Sequence, residues 1–222
     1  RLGLLQDYIW KVVAKDSKGA STSSATRSFG TRAVRFNDMP VTSNAEFGKR
    51  YSHSSVVFDN KIWVIGGLDN NQNRKNDVWS SMDGVNWTEV TSSAPFTPRE
   101  GHSSVVFDNK IWVIGGYDNS FSGRNDIWFT SDGITWTEAT DNAPFEKRFY
   151  HSSVVFDNKI WVIGGFNNSA ENQNDVWASS DGNTWSLVNQ SPSFEERTFH
   201  SSLVFDNKIW VIGGGTNSGF SN

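Results

Sequence analysis

The stretch HSSVVFDNKIWVIGG at residues 53–67 is written almost unchanged three more times in this 222-residue chain. It returns at residues 102–116 and 151–165, and at residues 200–214 with one leucine in place of a valine. Each copy begins 49 residues after the previous one. A fixed period of about 20 to 50 residues is typical of repeat architectures, in which each unit buries its apolar surface against its neighbours.

Each repeat predicts four short β-strands. In the first repeat, SSVVF and KIWVIGG are apolar runs joined by Asp59-Asn60, a pair that tolerates the positive φ of a tight hairpin turn. We expect the double glycine Gly66-Gly67 to end the second strand. NDVWSS at 76–81 and NWTEV at 86–90 predict a third and a fourth strand around an Asp-Gly turn. Because nothing between these runs has helical spacing, the pattern predicts an all-β propeller of four-stranded antiparallel blades.

The turn between the third and fourth strands carries one aspartate in each complete repeat. We expect it to form the turn, with its carboxylate accepting hydrogen bonds from backbone N–H groups. These residues are Asp83, Asp132 and Asp181.

The repeat resembles the kelch family. The resemblance rests on the double glycines, on Trp79, Trp128 and Trp177, and on the later Trp87, Trp136 and Trp185. It covers about residues 37–222, equivalent to about 3.5 blades of an incomplete ring. The two tryptophans of a repeat are 8 residues apart, one more than is usual in the family, and a tryptophan replaces the usual tyrosine. We expect the later tryptophans to fill the core between neighbouring sheets.

The first 36 residues do not follow the repeat. YIWKVVAKDSKG at 8–19 and ATRSFGT at 25–31 resemble the last hairpin of a fibronectin type III or related immunoglobulin-like domain, followed by a linker. NDMPVT at 37–42 occupies the position of a fourth strand. Two alternatives remain open. The repeats can form part of a larger propeller, or the N-terminal strands can complete the last blade and close a small four-bladed ring.

The composition excludes several kinds of site. Formal net charge is −4 and basic residues are interspersed with acidic ones, which argues against nucleic acid as a partner. The chain has no cysteine, so it forms neither a disulfide nor a thiolate metal site. No apolar run approaches the ~18 residues that a membrane span needs. We predict no metal and no cofactor.

The loops predict where a ligand would bind. The turns DNK and DG hardly vary and belong to one face of the propeller, whereas the loops between the second and third strands and between blades vary and share the opposite face. We call this opposite side the variable loop face. The predicted ligand-binding residues on it are Tyr51, Arg99, Glu100, Arg148, Phe149, Tyr150, Arg197, Phe199, Asp69, Asn70, Asp118, Asn119, Asn167 and Asn168.

Two basic residues recur in every repeat. An arginine stands three residues before each histidine, as Arg99 does before His102. Forked guanidinium groups suit an anion site, but a residue repeated in every blade is better explained by the same structural contact each time. The histidines could meet at an axial metal, but no carboxylate accompanies them in the repeat. We therefore interpret them as structural hydrogen-bonding groups.

These observations favour a non-catalytic recognition or scaffold module that binds a protein or a glycan. The kelch resemblance, the immunoglobulin-like hairpin and the abundance of Ser, Thr and Asn favour an exported multidomain protein located outside the cell or at its surface.

The alternative is a sugar-active enzyme. A protein similar to galactose oxidase would lack the copper site here, because no cysteine is present to modify a tyrosine. A sialidase-like or epimerase-like propeller would use acidic residues near the channel mouth, such as Glu100, Glu146, Glu195 and Glu196. Paired catalytic carboxyls about 5.5 to 9.5 Å apart would indicate glycosidase-like chemistry.

Overall fold

A computed structural model describes the backbone of four strands within residues 7–30, and residues 42 and 44–220 in full. The chain divides into two compact units, Arg1–Val41 and Thr42–Asn222. Every regular element in the described residues is a β-strand, as the sequence predicts. None of these residues forms a helix long and apolar enough to cross a membrane.

The first unit contains the predicted antiparallel hairpin. Strand Asp7–Trp10 pairs with Arg27–Gly30, and Val13–Lys15 pairs with Ser21–Ser23. Residues 31–41, with the linker and most of the expected fourth strand, lie outside the described residues. The fibronectin-like origin of the hairpin, the boundary after residue 36 and the closure of the ring all stay predictions.

The second unit consists of four successive repeats, of which the first three are complete blades. Blade 1 comprises Ser54–Phe58, Lys61–Asp69, Arg74–Ser81 and Thr88–Thr91. Blade 2 comprises Ser103–Phe107, Lys110–Asp118, Gly123–Thr130 and Thr137–Thr140. Blade 3 comprises Ser152–Phe156, Lys159–Asn167, Asn172–Ser179 and Ser186–Asn189. The fourth repeat has Ser201–Phe205, Lys208–Ile212, Gly215–Thr216 and Gly219–Phe220.

A two-residue linking strand precedes each repeat. The four linking strands are Arg50–Tyr51, Arg99–Glu100, Arg148–Phe149 and Arg197–Thr198. Within a blade, the strands pair antiparallel in sequence order. The linking strand Arg99–Glu100 pairs with Asp118 and Tyr117 of blade 2 and with Lys75 of blade 1. Linking strands therefore join neighbouring blades through the backbone.

The double glycine does not end the second strand, so that prediction is wrong. Strand Lys61–Asp69 runs through Gly66-Gly67, where the pairing shifts at a bulge after Ile65. Both glycines have positive φ, 56° and 96°. A Cβ on Gly67 would lie 2.7 Å from Cβ of His53. The glycines are therefore needed for a bulge that admits the histidine side chain, and the strand continues beyond it.

Two predicted turns are confirmed. Asp59 and Asn60 both have positive φ, 48° and 56°, and the same pair repeats this in all four hairpins. The carboxylate of Asp132 accepts hydrogen bonds from the backbone N–H groups of Ile134 and Thr135, each at 2.8 Å. Asp83 and Asp181 make equivalent bonds in their own blades.

The core lies between the blades. One cluster joins Phe58, Trp63, Ile65 and Val78 of blade 1 to Ile111, Val113 and Trp136 of blade 2, with Ala94 and Phe96 from the connecting loop. The equivalent cluster joins blades 2 and 3 and contains Trp185. The expected packing of indoles between sheets is thus confirmed for Trp136 and Trp185. Trp87 is half-buried and packs edge-on against Phe47, with ring centroids 4.8 Å apart.

Candidate functional site

The recurring arginine is part of the internal framework. Arg99 is completely buried, and its two terminal nitrogens each lie 2.7 Å from one oxygen of Asp126. Its Nη1 also donates to the carbonyl oxygen of Gly115 at 2.9 Å. The indole N–H of Trp128 donates to the same carboxylate. Burial acts to raise the pKa of Asp126, but hydrogen bonds and charge from Arg99 outweigh it and hold the pKa below its usual value.

The same arrangement recurs, with Arg50 bound to Asp77 and Arg148 bound to Asp175. Arg197 is buried as well and donates to the carbonyl oxygens of Glu195 and Gly213. Of the predicted ligand-binding residues, Arg99, Arg148 and Arg197 therefore face the interior. Their placement supports the structural interpretation, and we do not include them in the candidate site.

The role of the Asn-Asp pair within each third strand was missed in the sequence. Asn125 donates to the carbonyl oxygens of Ala143 and Phe145, so it fixes the loop that leads to the next blade. Asp126 completes the arginine pair. The signal was present, because the pair recurs every 49 residues at 76–77, 125–126 and 174–175.

The histidines join blades next to the axis. Nε2 of His102 lies 2.8 Å from Oγ of Ser54, which also lies 2.6 Å from Oγ of Ser104. His151 and His200 make the same contact with Ser103 and Ser152. Burial, reinforced by Arg99, lowers the pKa of His102 to about 3. The hydrogen-bonding interpretation is thus confirmed for these three histidines. In the described residues, no group of three or more metal-ligating side chains is arranged to hold a metal ion.

A chain of backbone hydrogen bonds links the residues that precede the first strands of the four repeats. Gly101 N–H donates to the carbonyl of Ser52, Tyr150 to that of Gly101, and Phe199 to that of Tyr150, at 2.7–3.0 Å. All four residues have positive φ, between 53° and 62°. This conformation turns each peptide toward the neighbouring blade, and it places Tyr150 and Phe199 around an axial cleft of about 220 Å³.

An aromatic patch extends outward from this cleft over blades 2 to 4. It consists of Tyr117, Phe121, Phe149, Tyr150, Phe166 and Phe199. Phe149 is at its centre, with ring centroids 4.6 Å from Tyr117, 5.2 Å from Tyr150 and 5.5 Å from Phe166. Tyr150 stacks on Phe199 at 3.9 Å. The sequence predicted Phe149, Tyr150 and Phe199, whereas Tyr117, Phe121 and Phe166 were not singled out.

A buried ion pair between Arg74 and Glu100 contacts the aromatic patch. Glu100 is buried and lies 2.9 Å from Nη2 of Arg74, whose guanidinium is over the ring of Tyr117 at 4.8 Å. The hydroxyl of Tyr150 donates to Glu100 at 3.1 Å. Burial, followed by the charge of Glu100, raises the pKa of Tyr150 to about 12. Glu100 therefore fixes the position of the Tyr150 ring, and its carboxylate is bound by both Arg74 and Tyr150.

The patch borders a cleft of about 350 Å³, which Tyr117, Phe121, Phe149 and Phe166 line together with the loop around Asn168. Asn168 accepts a hydrogen bond from the backbone N–H of Gly123 at 2.6 Å. This contact joins the loop of blade 2 to the loop of blade 3 beside the cleft.

The remaining predicted residues shape the loops. Asp69 accepts hydrogen bonds from the backbone N–H groups of Asn71 and Asn73, and these bonds, the one from Asn73 first, lower its pKa to about 2.

Asp118 is buried against Arg124, and Asn167 bonds to Glu146 and Glu171. Asn70 and Asn119 lie exposed at loop tips. Tyr51 is half exposed, with its hydroxyl 3.5 Å from Gln72.

The acidic residues proposed for an enzyme are spread over several loops. Glu100 is bound to Arg74, and Glu146 accepts from Asn167. Glu195 and Glu196 line a separate cleft of about 380 Å³, where Asn217 donates to Glu196 at 3.0 Å. The enzyme alternative stays a prediction.

Comparison with known proteins agrees with the observed fold. Residues 14–214 match the family model described as the KLHDC2/KLHL20/DRC7 Kelch-repeats domain. A solved structure entitled "Structure of YjhT" superposes with a TM-score of 0.64 at 16% identity, over 79% of this chain and 61% of that one. At this identity the likeness shows the fold alone, and the chain spans less than two thirds of that structure. No curated protein matches.

Proposed function

The chain belongs to the Kelch-repeat family, and because such domains typically bind proteins, we propose that it binds a protein partner through the aromatic patch. The observation that carries this proposal is the exposure of apolar rings on one face. Phe121 is 75% exposed and Phe199 is 64% exposed, and Tyr51 lies half exposed on the same face. Large exposed aromatic side chains are typical of the residues that contribute most to protein interfaces.

Several parts of the patch are held in place before a partner arrives. Phe149 is buried at its centre, Tyr150 is held by Glu100, and the cleft walls are joined through Asn168 and Gly123. Little side-chain entropy is therefore lost on binding, which favours affinity. The cleft of about 350 Å³ is lined by four aromatic side chains and by the polar residues Ser122, Asn167 and Asn168, so it suits one peptide side chain that has both an apolar part and a hydrogen-bonding group.

The experiment is a selection of peptides from a displayed random library against residues 1–222, followed by affinity measurements on the selected peptides. We expect Phe121→Ala and Phe199→Ala each to weaken binding by about tenfold or more, because hot-spot truncations commonly cost about 2 kcal/mol. The matched control is Met82→Ala, a 74% exposed apolar side chain in the turn between the third and fourth strands of blade 1. Equal binding by all three variants contradicts the proposal.

A glycan is the other ligand predicted from the sequence. Aromatic faces also stack on sugar rings, so a glycan array probed with the same three variants separates the two ligand classes. Binding to oligosaccharides that depends on Phe121 and Phe199, without any peptide binding, would replace the protein partner with a glycan.

We further propose that the protein acts outside the cell or at its surface. The composition and the immunoglobulin-like hairpin support this location. An antibody against residues 42–220 should then label intact cells of the source organism. Labelling that requires permeabilised cells contradicts an extracellular location.

A further inference from the structure

The first residue of the third strand differs among the three complete blades. It is Arg74 in blade 1, Gly123 in blade 2 and Asn172 in blade 3, at a spacing of 49 residues. Each of them pairs with the second strand of its own blade in the same register. The three positions are therefore equivalent, and the side chain is what distinguishes them.

Arg74 of blade 1 contacts three residues of the next repeat. Its guanidinium lies 4.8 Å from the ring centroid of Tyr117 and 5.4 Å from that of Phe121. Its Nη2 lies 2.9 Å from a carboxylate oxygen of Glu100. The Arg74 side chain is only 11% exposed as a result. At the interface between blades 1 and 2, an arginine thus fills a site made of two aromatic rings and one carboxylate.

The equivalent site between blades 2 and 3 has no arginine. The counterparts of the three partners of Arg74 lie 49 positions further on, and they are Phe149, Phe166 and Ala170. All three line the cleft of about 350 Å³. A Cβ added to Gly123 would lie 3.2 Å from Cδ1 of Phe149, at the start of the same space. The cleft is therefore the volume that an arginine fills one blade earlier, and it is open because glycine has no side chain.

The cleft presents more aromatic surface than the site of Arg74 does. Tyr117 and Phe121 line it together with the two phenylalanines. The ring planes of Phe149 and Phe166 are inclined by 71°, with their centroids 5.5 Å apart. Aromatic ring faces attract cations, and they attract the flat guanidinium group in particular. The positive charge of Arg74 nearby does not oppose a second cation, because Glu100 neutralises it.

Carboxylates beside the cleft provide negative charge. The buried Asn167, which lines the cleft, donates through Nδ2 to Glu146 at 2.6 Å and to Glu171 at 3.1 Å. Both glutamates are exposed to solvent. Two carboxylates gathered around one nitrogen repel each other, and a cation in the adjacent cleft would relieve that repulsion.

We propose that this cleft takes an arginine side chain of the protein partner, whose guanidinium occupies the place that Arg74 occupies in the preceding interface. The inference rests on the proposed function and names the side chain that enters the cleft. The apolar stem of the arginine would lie along Phe166, and its guanidinium would stack on an aromatic face and reach Glu171. Lysine fits less well, because its ammonium group has no flat surface to stack on a ring.

Filling the cleft from within tests the inference without a partner. Gly123→Arg places a guanidinium at the position equivalent to Arg74, and Gly123 does not have the positive φ that would exclude a side chain. The closest contact of the new Cβ, at 2.8 Å, is with Oδ1 of the exposed Asn168, which can turn away. We expect a urea midpoint about 0.2 M or more above that of Gly123→Met, which has a similar length but no charge. A Gly123→Met chain of equal or higher stability overturns the inference.

Peptides selected from the displayed library against residues 1–222 test the partner. We expect them to share an arginine, and its replacement by citrulline, which has the same shape without the charge, should weaken binding about tenfold or more. Gly123→Arg should also weaken binding about tenfold or more, because its own guanidinium occupies the cleft. Asn71→Arg is the matched control, since it adds the same charge to an exposed loop of blade 1, and it should bind like the wild type.

Phe166→Leu separates the aromatic face from simple apolar contact. Leucine keeps an apolar side chain at this position but has no ring to attract a cation. The variant should bind the arginine peptides about threefold or more weakly, and it should bind their citrulline versions as the wild type does. An equal loss for both kinds of peptide would show that the ring contributes apolar contact alone, which contradicts a guanidinium stacked on it.

The outcomes distinguish this inference from the proposed function. A library that gives no binding peptide contradicts the proposed function and removes the inference with it. Peptides that depend on Phe121 but share no arginine overturn the inference alone. The same holds for arginine peptides that bind Gly123→Arg as tightly as the wild type, because their arginine then lies outside the cleft.

Discussion

Arg99 and Asp126 form a buried ion pair in which both guanidinium nitrogens Nη1 and Nη2 bind the carboxylate, although 27 residues separate them in the chain. The pair joins the linking strand that enters blade 2 to the third strand of the same blade. It also fixes the indole of Trp128 and the bulge at Gly115. This one ion pair thus holds the linking strand, the bulge at Gly115 and the indole of Trp128 in position.

Replacing Asp126 with Asn should lower the free energy of unfolding by about 3–5 kcal/mol, because it leaves the buried Arg99 charge without its partner. Urea denaturation measures the change. Asp141→Asn, at an exposed loop position, is the matched control and should change stability by no more than about 0.5 kcal/mol. Equal midpoints for the two variants would show that Arg99 is satisfied without Asp126.

Trp136→Ala should cost about 3–5 kcal/mol of stability, because the indole fills the core between blades 1 and 2. Trp87→Ala should cost clearly less, since Trp87 is only half-buried and packs against Phe47 alone among the described rings. Urea midpoints of the two variants can be compared directly because the residues are equivalent in sequence. Equal losses would contradict the observed difference in packing.

The fold could be predicted because the residues that specify its strands and turns are adjacent in the sequence and recur in every repeat. Asp59-Asn60 specifies a turn with positive φ, and the apolar runs beside it specify two strands, four times over. Gly66-Gly67 was misinterpreted because a glycine pair at the end of an apolar run commonly stops a strand. Its actual role depends on His53, which lies just before the neighbouring strand Ser54–Phe58, and this contact cannot be inferred from the local sequence.

The site was predicted only in part. Phe149, Tyr150 and Phe199 lie in or just after linking strands at positions that vary between repeats, and this variation pointed to them. Tyr117 and Phe166 begin the variable segments between the second and third strands, but only the polar residues that follow them were predicted to bind a ligand. Their inclusion follows from the pairing of Phe149 with Phe166 and of Glu100 with Tyr117 across the linking strands.

Stability should decrease as the pH falls below about 6.5, where the histidines of the unfolded chain begin to bind protons. In the folded chain, burial lowers the pKa of His102 to about 3 and that of His200 to about 4, and it places the pKa of His151 well below its usual value. Between about pH 4 and pH 6.5, the unfolded state therefore binds more protons than the folded state, so the free energy of unfolding rises with pH in this range. Urea denaturation between pH 7 and about 4 measures the slope.

A variant isolates the contribution of one histidine to this slope. His151→Gln should be less stable than the wild type at pH 7, because it disturbs the hydrogen bond to Ser103. It should also lose stability less steeply on acidification, since one titrating group is gone. A slope identical to that of the wild type would show that His151 is protonated equally in the folded and unfolded chains.

Gly116→Ala should destabilise the protein more than Gly48→Ala. Both glycines have positive φ, 110° and 71°, so alanine is strained at either position. At Gly116, however, a Cβ would lie 2.8 Å from Cβ of His102, whereas no atom of the described residues lies within 4 Å of a Cβ at Gly48. Gly48→Ala should therefore cost about 1–2 kcal/mol, which is the strain alone. A similar loss of urea stability in Gly116→Ala would mean that the histidine moves aside freely, and that the double glycine is retained for its backbone conformation only.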